Sequence, residues 1–308
     1  MANNSFICLD LGASNTRYVC DDGVTHWMPN NVATVEEGVN TRLELWDTDD
    51  LSDKVNKHID ITIEKTSGES DFFPVRALIG KIADRYTSVS DKPSGMENKH
   101  TQRINYINAI AATAVSRYIT GETGDNVNDV YMYLALPPVE ARSASDYVNA
   151  QLSGDYKVTF NMLGEYVKLH IISVKCMEES YAALTTFFFS EGKLTDKARK
   201  YGNGNVLSLD IGASTTDLAA AQNLQYMERT GKTIKTGGNV VRDAVISDVM
   251  AQKNIDLNLE GGEEAVAEGR VRAGIAYIDC GDIVANAKRL FAEQIVNSMQ
   301  TYFKQIGI

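Results

Sequence analysis

Apolar runs separated by tight polar turns mark two places along the chain. Residues 6–11 and 206–211 are almost continuously apolar, which is typical of strands buried in a sheet. Each run is followed by a Gly-Ala-Ser turn and then by a second apolar stretch, at residues 18–20 and 217–221. The pattern therefore predicts an antiparallel strand pair at the start of each half of the chain.

Turn signals and periodic segments extend this pattern. Asp21-Asp22-Gly23 predicts a hairpin turn after the first strand pair, and Gln222-Asn223 predicts one after the second. The other predicted elements are strands over 130–136, 157–160 and 167–176 and helices over 104–119, 179–190, 240–250 and 282–303. Strands followed by helices, twice over, predict an α/β chain built from a duplicated unit.

The two halves also share a sequence repeat. Residues 8–17 read CLDLGASNTR, and residues 208–217, which lie 200 positions later, read SLDIGASTTD. Leu, Asp, Gly, Ala, Ser and Thr recur in register around one Asp-x-Gly turn. A single turn of this kind is usually just a tight hairpin, whereas two matched copies indicate a duplicated functional loop.

The repeated turn has the chemistry of a phosphate-binding loop. Glycine lets the backbone approach a ligand closely, and the N–H groups of such a turn can point toward anionic oxygens. Hydroxyl side chains add further donors. The residues predicted to contact a nucleotide are Gly12, Ala13, Ser14, Asn15, Thr16 and Arg17 in the first copy and Gly212, Ala213, Ser214, Thr215 and Thr216 in the second.

Two acidic residues, Asp10 and Asp210, end the strands that precede these turns. Carboxylates alone would repel phosphates, so their presence beside a polyphosphate indicates a divalent cation. Mg²⁺ prefers oxygen ligands and retains several waters. We therefore predict that Asp10 and Asp210 act in catalysis by holding Mg²⁺ through water.

Arg17 and Asp217 occupy matching positions in the two copies but carry opposite charges. The guanidinium of Arg17 can bind a β- or γ-phosphate oxygen. A solvated arginine on a strand edge is the alternative. The asymmetry is compatible with one nucleotide contacted by both loops, because a nucleotide is itself asymmetric.

Two further segments carry candidate chemistry. Glu179 lies where a strand is predicted to meet a helix, and a carboxylate there can hold a water in line with a γ-phosphate. Glu178, the preceding residue, is the alternative candidate for this role. An acidic residue in the first turn of a helix can also be present only because it interacts favourably with the helix dipole. The turn Gly237-Gly238-Asn239 precedes a predicted helix and is expected to contact the nucleotide, with a plain helix-start loop as the alternative.

Composition and charge argue against several classes of function. The chain has 308 residues and a net charge of −11, with 30 Lys and Arg against 41 Asp and Glu, and no basic cluster, so direct nucleic-acid binding is not expected. No apolar run approaches the length of a membrane span, and the N-terminus has no secretion signal, so no membrane partner is expected. The four cysteines and four histidines lack metal-ligand spacing, and a reducing, cytoplasmic compartment is the expectation.

These motifs resemble those of the superfamily that contains actin, sugar kinases and chaperone ATPases. Residues 6–17 and 206–217 resemble its two phosphate motifs. Residues 173–180 (SVKCMEES) resemble its first connecting motif, and residues 235–240 (KTGGNV) resemble its turn near the ribose and base. Within the superfamily the chain is most similar to the plasmid-segregating, ParM-like actins. The resemblance implies that Glu179 orients the attacking water.

The resemblance also implies a fold and a function. The fold would be a duplicated, ribonuclease-H-like actin fold of the α/β class, with a nucleotide cleft between two lobes. Domain I would span residues 1–180, with a subdomain inserted near 31–100, and domain II would span residues 181–308. ATP (or GTP) and Mg²⁺ would be the cofactors, and hydrolysis would be coupled to polymerisation into filaments. The expected role is plasmid or DNA segregation, together with a basic DNA-binding adaptor protein.

The chain departs from the pattern of the superfamily in one place, and two other functions are alternatives to the predicted one. Members of the superfamily usually carry a further glycine-rich turn near the C-terminus that clamps the purine, and the final residues 305–308 (QIGI) contain no such turn. The expectation is a truncated form or a purine held differently, with weak discrimination between ATP and GTP. A small-molecule kinase of the same superfamily and a non-hydrolysing nucleotide-binding scaffold protein are the alternative functions.

Overall fold

The computed structural model describes residues 5–12, 15–36, 58–68, 70–86, 98–190, 192–274 and 276–307. Contacts between Cα atoms divide the chain into two compact units, Met1–Thr186 and Phe187–Ile308. The division falls close to the domain boundary predicted after residue 180. The domain assignment itself stays a prediction.

The first unit is built on one mixed sheet. Within the described residues its nine strands are β1 (Ser5–Leu11), β2 (Asn15–Val19), β3 (Thr25–Pro29), β4 (Val32–Thr34), β5 (His58–Lys65), β6 (Val75–Gly80), β7 (Val127–Leu136), β8 (Gly154–Phe160) and β9 (Glu165–Glu178). Their order is β3-β2-β1-β7-β9-β8-β5-β6-β4. β1, β7 and β9 are parallel neighbours, and the other pairs are antiparallel. The carboxyl ends of the three parallel strands therefore meet at one edge of the sheet.

Helices and the sheet share the core of the first unit. The helices are α1 (Lys81–Tyr86), α2 (Arg103–Ile119), α3 (Pro138–Ser143), α4 (Ser145–Leu152) and α5 (Glu179–Phe188), which crosses the division between the units. α2 confirms the helix predicted over 104–119. Its residues are buried on nearly every side, among them Ile107, Ile110 and Val115. A helix that is buried all round belongs to the centre of a core.

The polar stretch in which an inserted subdomain is predicted contributes strands to this same sheet. β4, β5 and β6 come from it and occupy one end of the strand order. Ile59, Ile61 and Ile63 alternate along β5 and are at most 1% exposed, so one face of the strand is core. Residues 37–57 and 87–97 of the stretch lie outside the described residues.

The second unit has smaller sheets and a helical core. Its elements are β10 (Phe189–Ser190), β11 (Lys193–Leu194), α6 (Asp196–Tyr201), β12 (Asn205–Ile211), β13 (Thr216–Gln222), β14 (Gln225–Tyr226), β15 (Lys232–Ile234), α7 (Asn239–Lys253), α8 (Leu259–Glu268), β16 (Arg270–Ala273), β17 (Ala276–Asp279) and α9 (Gly281–Gln305). β13 lies beside β12 and also pairs with β14 and β15. Val245 on α7, Ala265 on α8 and Val284 on α9 belong to one buried cluster. No helix among the described residues is long and apolar enough to cross a membrane.

The turn after β13 differs by one residue from the prediction. Asn223 and Leu224 both have positive φ, so the two-residue turn is formed by them and not by Gln222 and Asn223. Leu224 packs over Gly202, where a Cβ would clash with the leucine side chain. This long-range contact holds a leucine in a conformation that the local sequence does not favour. β14 has two residues, and β15 supplies most of the return pairing.

β1 and β12 carry the same motif but differ in burial. β1 is paired on both sides, with β2 and β7, whereas β12 pairs only with β13 among the described strands. On β1, Ile7, Leu9 and Leu11 are at most 2% exposed. Their counterparts are far more open: Leu207 is 37% exposed, Leu209 40% and Ile211 50%. An apolar strand with an open edge is a ready template for pairing with another chain.

We expect Leu209→Lys to weaken the nucleotide-free association of the chain into small oligomers, which are too short to pellet as filaments do. Removing one leucine from an apolar contact costs about 1.5–3 kcal/mol, which corresponds to about tenfold or more in affinity. Light scattering against concentration in EDTA measures the effect. Val296→Lys is the matched control, since Val296 is an exposed apolar residue on α9. Equal effects of the two substitutions, or none, would contradict a role for the β12 edge.

Candidate functional site

The first repeated turn links β1 to β2 as a tight loop. Asp10 pairs with Arg17 and Leu11 with Thr16 across the two strands. The Gly12 N–H closes the loop by donating to the Asn15 carbonyl oxygen at 3.1 Å. A Cβ on Gly12 would lie 2.9 Å from that oxygen, so the turn requires glycine. Ala13 and Ser14, at the predicted phosphate-facing tip, lie outside the described residues.

The second turn links β12 to β13 in the same way. Asp210 pairs with Asp217 and Ile211 with Thr216. The Gly212 N–H donates to the Thr215 carbonyl oxygen at 2.9 Å. The sequence repeat is therefore also a structural repeat, with the same register and the same closing hydrogen bond.

In each unit, the repeated loop is held by the residues that follow a third strand. This strand is β3 in the first unit and β15 in the second. In the first unit the Asn30 side chain, just after β3, donates to the Gly12 carbonyl oxygen, and Asn108 on α2 donates to the Asn30 carbonyl oxygen at 3.0 Å. Both asparagines are buried. In the second unit the Gly238 N–H donates to the Gly212 carbonyl oxygen at 2.9 Å. Both copies thus fix the carbonyl group of the loop glycine, by different donors.

The predicted Gly237-Gly238-Asn239 turn packs directly on the second loop. The Asn239 N–H donates to the Ala213 carbonyl oxygen at 2.8 Å, beside the bond from Gly238. These two amide groups at the start of α7 therefore bind the loop. Contact of the turn with a nucleotide stays a prediction. The hydrogen bonds support a role of the turn in positioning Gly212 and Ala213 of the loop.

Gly237→Ala should destabilise the second loop, whereas Gly238→Ala should not. A Cβ on Gly237 would lie 2.6 Å from backbone atoms of Gly212 and Ala213, while one on Gly238 would meet the Gly212 oxygen at 3.7 Å. Overpacking of this kind costs about 1–3 kcal/mol. Urea unfolding measures the difference. Two variants of equal stability would show that the turn does not pack on the loop as described.

The matching residues Arg17 and Asp217 have different surroundings. The side chain of Arg17 is exposed, and its guanidinium makes no hydrogen bond or ion pair with any described residue. Asp217 is 3% exposed and accepts a hydrogen bond from the Thr233 hydroxyl on β15. Asp217 therefore joins β13 to β15, which gives its charge a structural role. The predicted contact of Arg17 with phosphate is untested, but its guanidinium is accessible.

The predicted carboxylates Asp10 and Glu179 lie at one edge of the first unit's sheet. Asp10 is opposite Ala135 on β7, and Ala135 is opposite Met177 on β9. Two strand spacings separate β1 from β9 by about 10 Å. Glu179 begins α5 directly after β9 ends at Glu178. The corresponding carboxylate of the second unit, Asp210, is exposed at the end of β12.

The two neighbouring glutamates have different partners. The Glu179 carboxylate forms an ion pair with the Lys99 ammonium, and the side chains are 9% and 15% exposed. The Glu178 carboxylate accepts from the Arg142 guanidinium on α3 at 2.9 Å. Next to Lys99, His100 pairs with Glu140 at 2.8 Å. The sequence contained no signal for the Lys99 contact, because Lys99 lies 80 positions from Glu179 in a short 3-10 turn.

Comparison with known proteins supports the fold. No protein-family model matches the sequence, and no curated protein matches it. Among solved structures, the actin-like protein Alp7A superposes with a TM-score of 0.76 at 18% identity, covering 97% of this chain and 79% of that one. A 15-stranded ParM filament from Clostridium botulinum gives 0.67 at 16% identity, with coverage of 97% and 84%. Bacillus thuringiensis ParM with AMPPNP gives 0.67 at 15% identity, with coverage of 98% and 84%. The predicted actin-like α/β fold, close to that of the ParM-like bacterial actins, is thereby confirmed.

Proposed function

We propose that this chain is an actin-like protein that binds ATP with Mg²⁺ through its two repeated loops, hydrolyses the ATP and assembles into filaments. The observation that carries the proposal is the structural repeat. Both Asp-x-Gly motifs fold into loops with the same closing hydrogen bond, and both lie within an actin-like fold. A ParM filament and a ParM with AMPPNP are among the structures that the chain resembles.

The residues of the loops fit a triphosphate and its cation. Gly12 and Gly237 lie where an added Cβ would clash, so both sites depend on close backbone packing. Loop amides and hydroxyls bind phosphate oxygens, and Arg17 adds an accessible positive charge. Asp10 and Asp210 hold Mg²⁺ through water. When bound, the cation neutralises the phosphate charge that these carboxylates would otherwise repel.

In the proposed hydrolysis, Glu179 supplies the carboxylate that acts on the attacking water. Its carboxylate accepts a hydrogen bond from water and orients that water toward the γ-phosphate. Lys99 holds the carboxylate in the structure and so sets the position from which it acts. Lys99 is a positioning residue in this proposal.

The proposed filament role concerns DNA segregation. A head-to-tail contact between copies is heterologous and does not close, so it produces filaments. The net charge of −11 disfavours direct contact with DNA. A basic adaptor protein would therefore connect the filament to DNA.

Sedimentation combined with electron microscopy tests this function. We expect the chain to pellet as filaments with Mg²⁺ and either ATP or AMPPNP, and to stay in the supernatant with EDTA. Filaments formed with ATP should disassemble as phosphate is released, while those formed with AMPPNP should persist. Pelleting that is independent of nucleotide, or a chain that never polymerises, would contradict the proposal.

A further inference from the structure

Three possible metal ligands meet at the first hairpin of the chain. Cys20 directly follows β2, Asp22 lies in the turn, and His26 is on β3. The cysteine sulfur, a carboxylate oxygen and an imidazole nitrogen all lie within 4.8 Å of one another. The spacing Cys-x-Asp-x₃-His is not a familiar metal motif, so the sequence indicated no site here.

The distances between these atoms suit one small ion. His26 Nε2 lies 2.7 Å from Asp22 Oδ2, and Cys20 Sγ lies 3.4 Å from Asp22 Oδ1. Zinc binds sulfur at about 2.3 Å and nitrogen or oxygen at about 2.0–2.2 Å in a tetrahedron. Neighbouring ligand atoms of such a site are therefore about 3.3–3.7 Å apart. The sulfur–oxygen contact of 3.4 Å already lies in that range, and the nitrogen–oxygen contact of 2.7 Å would have to open by about 0.6–1 Å.

The hairpin holds the three side chains in place. His26 pairs with Tyr18 across the strands, and their rings stack with centroids 5.2 Å apart. Asp22 accepts from the Val24 N–H at 2.8 Å, and Gly23 has the positive φ that the turn requires. The ligands therefore lose little conformational freedom on binding.

Exposure and charge also suit a cation. Cys20 is 3% exposed, whereas the side chains of His26 and Asp22 are 22% and 37% exposed, so an ion can enter from solvent. A thiolate and a carboxylate would neutralise a divalent ion. Burial raises the pKa of the Cys20 thiol, so the ion must displace its proton. The nearby Arg117 guanidinium is itself paired with Asp21 at 2.8 Å.

We propose that Cys20, Asp22 and His26 form a Zn²⁺ site with one coordination position left for water. A thiolate and an imidazole select zinc over magnesium, which prefers oxygen ligands. The ion fixes the β2–β3 hairpin, and β2 carries Asn15, Thr16 and Arg17 of the first loop. The site is separate from the proposed nucleotide site and does not depend on it.

Titration of the full chain with Co²⁺ tests the proposal. We expect one equivalent of Co²⁺ to produce a thiolate-to-cobalt charge-transfer band and a tetrahedral visible spectrum, and Zn²⁺ to abolish both. Cys20→Ser should remove the charge-transfer band. His26→Gln and Asp22→Asn should weaken affinity by at least about tenfold, the lower end of what metal sites lose when supporting groups change.

Matched controls keep the test decisive. Cys8→Ser and His170→Gln alter a cysteine and a histidine outside the cluster, and both should leave the spectrum unchanged. Zn²⁺ should raise the unfolding midpoint of the unmodified chain but not that of His26→Gln, a half-buried position where misfolding is not expected. No charge-transfer band, or one that disappears with Cys8→Ser, would overturn the proposal. The cluster would then be only the hydrogen-bonded turn of a hairpin.

Discussion

Glu179→Gln is expected to slow ATP hydrolysis by about 100-fold or more, the range that a positioned acid or base contributes, while nucleotide affinity stays nearly unchanged. Glutamine keeps the size of the side chain but loses the charge that orients water. A change that misplaces water lowers the rate of hydrolysis and not ground-state binding. Phosphate release under saturating ATP, together with a binding titration, measures the two effects. Filaments of the variant should persist longer, because hydrolysis is expected to destabilise them.

The ion pair with Lys99 requires a specific control. Glu179→Gln also breaks this largely buried pair, and loss of one partner can itself be strongly destabilising. Lys99→Met breaks the same pair but keeps the carboxylate, so it should retain much more hydrolysis than Glu179→Gln. Glu178→Gln alters the neighbour that pairs with Arg142. If Glu178→Gln loses hydrolysis and Glu179→Gln does not, the assignment of the two glutamates is wrong.

Asp10→Asn and Asp210→Asn are each expected to lower the affinity for Mg·ATP by at least about 100-fold, or roughly 2.8 kcal/mol. Each carboxylate is expected to hold one side of the hydrated cation, so removing either leaves the cation poorly held against the triphosphate. Isothermal titration calorimetry with and without Mg²⁺ measures the effect. The deficit should largely disappear in EDTA, since the carboxylates act through the cation.

Asp196→Asn is the control for this pair of variants. Asp196 is an exposed acid on α6 that pairs with Arg199 three residues later. Its replacement removes the same charge without touching either loop, so the affinity for Mg·ATP should not change. Unaltered affinity in either Asp10→Asn or Asp210→Asn would show that the repeated aspartates do not hold the cation.

The parts of the fold that were predictable depend on local signals. The two loops could be predicted because glycine, the apolar strands and the turn residues lie within about ten residues of one another. α2 was predictable because a long apolar periodicity identifies a helix. α8 was missed because Gly261 and Gly262 lie in its first turns, and each glycine weakens a helix by about 1 kcal/mol. The Asn258 side chain starts α8 by accepting from the Gly261 N–H at 2.8 Å.

The contacts that support the candidate site were not predictable. Asn30 is 18 positions from Gly12, and Lys99 is 80 positions from Glu179, so no periodicity or spacing connects them. The role of Asp217 could not be predicted either, because only the fold places Thr233 beside it. Polar partners brought together by tertiary structure leave no local pattern in a sequence.

The stoichiometry of Mg·ATP binding tests the central claim most directly. If the two repeated loops bind one nucleotide together, equilibrium binding to the unmodified chain should saturate at one nucleotide per chain. Disruption of either loop should then remove that single site. Saturation at two nucleotides per chain, one site surviving loss of the other, or no Mg²⁺-dependent binding would contradict the account.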